Sequence, residues 1–183
     1  NFHSDFILIL ISPLYLIWSN PKMLLLLQTI VLGSGALFIF LIAIRVLKEK
    51  NLALTFSVLF LLNPSVQFTN LYDFHAVALS TTLLLATFYF FIKKSYVLFL
   101  FFAFLGGITK EEIWVIIALF GLAVIFRSFF ENRFRFMLTK KQVLEIFIGL
   151  FLFLTSAVIF YLLIWVIMAN LRREAHFALS YYS

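Results

Sequence analysis

Twenty-two consecutive residues, Met23 to Ile44, pass without a single charge. At 1.5 Å per residue a helix of that length reaches about 33 Å, enough to cross the roughly 30 Å of bilayer hydrocarbon. Phe74 to Ile92 and Val143 to Ala169 form two further long apolar runs, and short charged knots separate the runs throughout. A chain patterned in this way is dissolved in lipid rather than in water. Composition agrees: 64% of residues are hydrophobic and 12% charged, where a soluble domain is nearer half apolar and a quarter charged. Twenty-six Phe residues among 183 are too many to hide in one small core, but they face acyl chains without any hydration cost.

The formal charge of +6 does not point to nucleic acid, because the basic residues sit in clusters between apolar runs rather than along one face. With no Cys there is no disulfide framework, no thiolate nucleophile and no Cys-based metal site. The first residue is Asn1, and the last apolar run has only just turned polar before Ser183. This pattern is expected of a piece of a longer protein, with a transmembrane domain over 1–170 and the start of an external segment over 171–183.

In chain order, Phe6 to Trp18 is apolar but short and broken by Pro13, so it is expected to lie along the interface. Asn20-Pro21 supplies a cap and a first-turn proline for the span from Met23. Asn51 is expected to cap Leu52 to about Val66, which Pro64 shortens. After the polar stretch Asn70-Leu71-Tyr72-Asp73-Phe74-His75 comes the run to Ile92, closed by Lys93-Lys94. Tyr96 to Ile108 is a marginal span ending in Gly106-Gly107. Thr109-Lys110-Glu111-Glu112 and Thr139-Lys140-Lys141-Gln142 each carry the spacing of a capping box. The fold class expected is all-α, a polytopic helical membrane protein of about six transmembrane helices plus a short interfacial helix.

If the first span runs toward the cytoplasm and each later run crosses, Arg45, Lys48, Lys50, Lys93, Lys94, Arg127, Arg133, Arg135, Lys140 and Lys141 fall inside, ten of the fourteen basic residues. The positive-inside rule selects that orientation. Asp5, Asp73, Glu111, Glu112 and Glu174, with all three His residues, then share the outer side.

The outer knots are where chemistry is possible. Asp73 and His75 are two apart and would diverge by about 200° on a regular helix, so they cooperate only in a loop or first turn. Asp73 is a candidate general base or metal ligand, although capping the helix from Phe74 would also explain it. His3 and Asp5 offer a second imidazole and acid, and the four together would suit Mg²⁺ or Mn²⁺ beside a diphosphate. Glu112 is explained by capping Thr109. Lys110 has no such explanation and is a candidate phosphate contact, with Glu111 as a second acid. Arg172, just beyond the last span, grips a lipid phosphate or anchors the interface. Gln28, Gly33, Ser34 and Gly35 mark close helix packing with a hydrogen bond. No Gly-rich phosphate loop, Gly-x-Ser-x-Gly or His-Glu-x-x-His is present.

His3-x-Asp5-Phe6, Pro13-Leu14-Tyr15, Gln28, Asn63-Pro64, Asn70-Leu71-Tyr72-Asp73-Phe74-His75 and Lys110-Glu111-Glu112 together resemble a family of bacterial and archaeal multi-spanning membrane proteins, catalogued as a domain of unknown function and related to the GT-C glycosyltransferases. The likeness covers Asn1 to about Phe126. Ala76 and Val77 stand where the family commonly has Pro and Glu. The resemblance implies a plasma-membrane enzyme that takes a sugar from a polyprenyl-phosphate carrier at the outer face, with Asp73, Glu111 and Asp5 as catalytic acids and His75, Lys110 and His3 holding the lipid-linked donor; Arg172, beyond the likeness, is a candidate for the same contact by its place after the last span. A transporter or flippase, or a non-catalytic scaffold, are the readings from other classes.

Overall fold

The computed structural model of the chain describes residues 4–131, 139–168 and 170. Every regular element among them is helical. They fall into two compact units, one spanning Asp5–Thr109 and the other combining Ser4 with the described residues from Lys110 onward.

The first unit opens with α1, Ile7–Ile11, which tightens into a 3₁₀ turn over Ser12–Leu16 with Pro13 in its first turn. Asn20 Oδ1 accepts the Lys22 amide at 2.9 Å and starts α2, Lys22–Leu47. The cap of α3, Lys50–Leu62, is Glu49 rather than the expected Asn51: its carboxylate accepts the Asn51 and Leu52 amides. A negative side chain at a helix start satisfies two otherwise unbonded amides and meets the positive end of the dipole. Asn63 Oδ1 then accepts the Ser65 amide at 2.9 Å, Pro64 takes the first helical position, and α4, Pro64–Leu71, leaves α3 at a bend of 44°. After the polar loop come α5, Ala76–Lys93, and α6, Tyr96–Gly107.

Cross-helix contacts fix the directions. Gln28 of α2 bonds Thr69 and His75, Thr29 bonds Asn70, and Thr82 of α5 donates to the Val31 carbonyl at 2.7 Å. At Gly35 the Phe60 ring and the Thr82 hydroxyl both lie within 2.9 Å of where a Cβ would stand, so three helices meet where α2 has no side chain. Hence α2 and α5 run parallel, and the α3–α4 segment runs back between their two ends. Phe90 stacks on Phe102 at 5.3 Å and Phe91 meets Phe99 at 6.1 Å, so α6 returns antiparallel to α5. A buried cluster of Ile7, Ile11, Met23, Ala76 and Leu79, with Ile108 packed against it, closes the end where α2 and α5 begin. The Ile7 amide donates to the Ile108 carbonyl at 2.9 Å, which places α1 over the end of α6.

In the second unit, α7 spans Ile113–Glu131 and α8 spans Lys140–Tyr161, continuing as a π-helical stretch over Leu162–Met168. The capping box expected at Thr139 is formed: Gln142 Oε1 accepts the Thr139 amide at 2.9 Å and Thr139 Oγ1 accepts the Gln142 amide at 3.3 Å. Buried positions repeat at heptad-like spacing on both helices, Ile117, Gly121, Val124 and Ser128 on one and Glu145, Gly149, Leu152 and Ser156 on the other. The seam is tightest where a Cβ on Gly121 would stand 2.7 Å from the Gly149 carbonyl oxygen, and the reverse holds at the same distance. Small residues let two backbones approach and gain dispersion contact that lipid cannot supply.

Four segments are long and apolar enough to cross a membrane: Lys22–Leu47, Ala76–Lys93, Ile113–Glu131 and Lys140–Met168. The bent α3–α4 pair makes a fifth if counted as one broken span. The expected sixth span is α6, and its twelve residues rise only about 18 Å, because the chain leaves the helix after Gly106-Gly107.

Gly149→Val drives a branched side chain into the Gly121 backbone and is expected to destabilise the second unit by about 1–3 kcal/mol, measured by unfolding in detergent micelles. Gly33→Ala meets nothing within 4 Å and is expected to hold stability or raise it by up to about 1 kcal/mol.

Candidate functional site

The loop between α4 and α5 is held by a fully buried amide, Gln28, in the second turn of an apolar helix. Gln28 Nε2 donates to the Thr69 carbonyl at 2.9 Å, and Gln28 Oε1 accepts the His75 amide at 3.1 Å. One side chain of α2 thereby holds the last turn of α4 and the first residue before α5. Next to it, Thr29 Oγ1 donates to Asn70 Oδ1 at 2.9 Å. Neither end of the loop can drift from α2 without leaving polar groups unpaired.

Within this frame Tyr72, Asp73 and His75 are exposed. His75 Nδ1 lies 2.8 Å from the Asp73 carbonyl oxygen, and the Tyr72 ring stacks on the imidazole at 5.6 Å and 25°. A carbonyl only accepts, so Nδ1 donates and Nε2 is the ring atom left for a ligand. The reading of Asp73 as a cap for a helix from Phe74 is corrected: α5 starts at Ala76 and its N-cap is His75, which makes no side-chain cap bond.

Charge is separated along this unit. Arg45, Lys48 and Lys50 lie around the α2–α3 turn and Lys93 and Lys94 around the α5–α6 turn. Asp73, His75 and the α1 segment that follows Asp5 lie at the opposite end, together with Lys22. Asp5 is half-buried, and its backbone carbonyl accepts the Leu8 amide at 3.0 Å. Asp5, Asp73 and His75 do not assemble into a metal-binding group, and no cluster of three or more His, Cys, Asp or Glu that could hold a metal ion occurs among the described residues. His3, the fourth expected ligand, and Arg172, the expected phosphate grip, lie outside the described residues.

The Lys110-Glu111-Glu112 knot is ordered differently from its capping-box expectation. Thr109 Oγ1 turns back and donates to the Gly106 carbonyl at 2.6 Å, and α7 starts only at Ile113. Glu112 instead pairs with Lys110 at 3.3 Å, an exposed carboxylate against a largely covered amine. Lys110 therefore has a structural partner after all. Glu111 is 3% exposed, and its Oε2 accepts both the amide and the hydroxyl of Ser4 at 3.1 Å.

Sequence reasoning passed over Glu145, which is 2% exposed on the α7–α8 seam, with Oε1 lacking a hydrogen-bond partner. Its signal was present as a lone acid in Val143-Leu144-Glu145-Ile146-Phe147, one helical turn before Gly149. An ionisable group inside an apolar span is costly unless it has work to do.

A family model described as a predicted membrane protein matches residues 2–183, nearly the whole chain. The chain belongs to the DUF2079 family. Neither the curated proteins nor the solved structures give a match. With its apolar helices, this DUF2079 chain is a multi-pass membrane protein.

The two ends of the first unit are expected in different aqueous compartments. Single cysteines at positions 73 and 94, probed with an impermeant maleimide on sealed vesicles, should react from opposite sides; reaction from the same side would contradict the span assignment.

Proposed function

We propose that this DUF2079 protein is a GT-C-like glycosyltransferase of the plasma membrane, drawing a sugar from a polyprenyl-phosphate carrier at the outer face. The observation that supports the reading is the Asp73–His75 loop: an exposed acid and an exposed imidazole, fixed by a buried amide, at the end of the unit opposite five basic residues. A carrier phosphate stays at headgroup depth while its prenyl tail remains in hydrocarbon, so groups that meet it must sit at the mouth of a span.

On this reading the Asp73 carboxylate accepts the proton of an acceptor hydroxyl as its oxygen attacks the anomeric carbon. The bond from that carbon to the phosphate oxygen breaks, and the polyprenyl phosphate departs with the electron pair. His75 donates Nδ1–H to the Asp73 carbonyl, and its imidazolium form donates Nε2–H to a phosphate oxygen. Lys110 and Glu111, expected as a phosphate contact and a second acid, belong to the other unit, where Lys110 pairs with Glu112 and Glu111 bonds Ser4, and no step is assigned to them.

The full-length protein in lipid nanodiscs, supplied with polyprenyl phosphoglucose or phosphomannose, is expected to transfer sugar. Asp73→Asn should lower the rate by about 10²–10⁴-fold with membrane insertion unchanged. Full turnover in that variant removes Asp73 from the site.

One observation favours the transporter reading. Glu145 is a buried carboxyl inside a span, with an oxygen that lacks a hydrogen-bond partner, the kind of group that marks ion pathways. Under that reading Glu145→Gln abolishes ion-coupled uptake into proteoliposomes. Under the transferase reading it leaves sugar transfer intact.

A further inference from the structure

We infer that Gln28 is a positioning residue, which sets the imidazole of His75 so that Nε2 is the atom offered to an incoming phosphate. The geometry stands by itself; the phosphate as ligand rests on the function proposed above.

Three constraints act on His75, and Gln28 sets the first. Its Oε1 takes the His75 amide at 3.1 Å and fixes that residue in an extended conformation, φ −130° and ψ 124°, just before α5. With the backbone so held, Nδ1 falls 2.8 Å from the Asp73 carbonyl, which commits the Nδ1 proton. Tyr72, stacked at 5.6 Å, limits rotation of the ring out of this arrangement. The neutral ring therefore carries its proton on Nδ1, whereas a histidine side chain free in water predominantly carries it on Nε2. The other end of the Gln28 amide donates to Thr69, so the last turn of α4 and the imidazole share one buried anchor.

Burial makes the anchor effective. Gln28 is 0% exposed within a helix otherwise made for lipid, so the loop's carbonyl and amide are what satisfy the two polar ends of its side chain. Packing alone does not require an amide there, since Met fills nearly the same volume without either hydrogen bond.

The experiment uses the full-length protein in nanodiscs with ¹⁵N-histidine, the His75 signals being assigned by their loss in His75→Gln. At a pH where the ring is neutral, wild type is expected to show His75 protonated on Nδ1, and Gln28→Met to show the proton moved largely to Nε2 with helical content unchanged. Gln28→Glu retains an acceptor for the His75 amide and is expected to restore the wild-type tautomer. An unchanged tautomer in Gln28→Met overturns the positioning role, as does wild type already protonated on Nε2.

Polyprenyl monophosphate is then titrated in at a lower pH, where the ring carries a proton on both nitrogens and Nε2–H is free to donate to a phosphate oxygen. Wild type should show its largest shift at His75 Nε2, and Gln28→Met should bind at least about tenfold more weakly, since apparent affinity falls with the fraction of chains holding the competent loop. A tautomer that moves as expected, with no response to the lipid in wild type, keeps Gln28 as the positioning residue and overturns the phosphate ligand.

Discussion

Hydrocarbon offers a peptide group nothing to bond with, and three places where this chain interrupts a helix show how that constraint is met. An unpaired amide or carbonyl at membrane depth costs several kcal/mol, and at each of the three a side chain supplies the missing bond. At Glu49 a carboxylate covers two amides. At Asn63 a side-chain carbonyl covers one, and Pro64 has none to cover. At the polar loop the solution comes from outside the segment, because Gln28 of α2 reaches across to a carbonyl on one side and an amide on the other. The candidate site lies at this last interruption, and its order derives from the bonds that make the interruption tolerable.

Much of the fold was legible because lipid solubility writes itself into long uncharged runs. The spans from Met23, Phe74 and Val143 were placed within a few residues of the helices found, and the Thr139 capping box formed as its spacing predicts. What misled the reading was local competition among polar groups. Thr109 has the right partner three residues on, yet its hydroxyl turns back to the preceding helix, leaving Glu112 to pair with Lys110. Asp73 occupies the position of a cap, but the loop runs two residues further and His75 stands at the helix start. Glu49, unremarked in the sequence, does the capping assigned to Asn51.

The candidate residues divide by whether sequence neighbours or distant ones determine them. The spacing of Asp73 and His75 does say that they need irregular backbone to cooperate, and that is how they are found. The role of Gln28 is invisible locally, because its partners lie 41 and 47 residues away. Glu145 was overlooked for the opposite reason: a single acid near a basic connector reads as part of the helix end until its burial against α7 is seen.

Lys48 and Lys94 end α2 and α5 in the left-handed region, at φ 58° and 59°. Glycine would close the same turns without the 1–2 kcal/mol or so that a side chain costs in that conformation. If these turns face the cytoplasm, as the positive-inside rule expects, a cation at each tip resists translocation while the hairpin inserts. Glycine would relieve the steric penalty of the finished turn but could not do that.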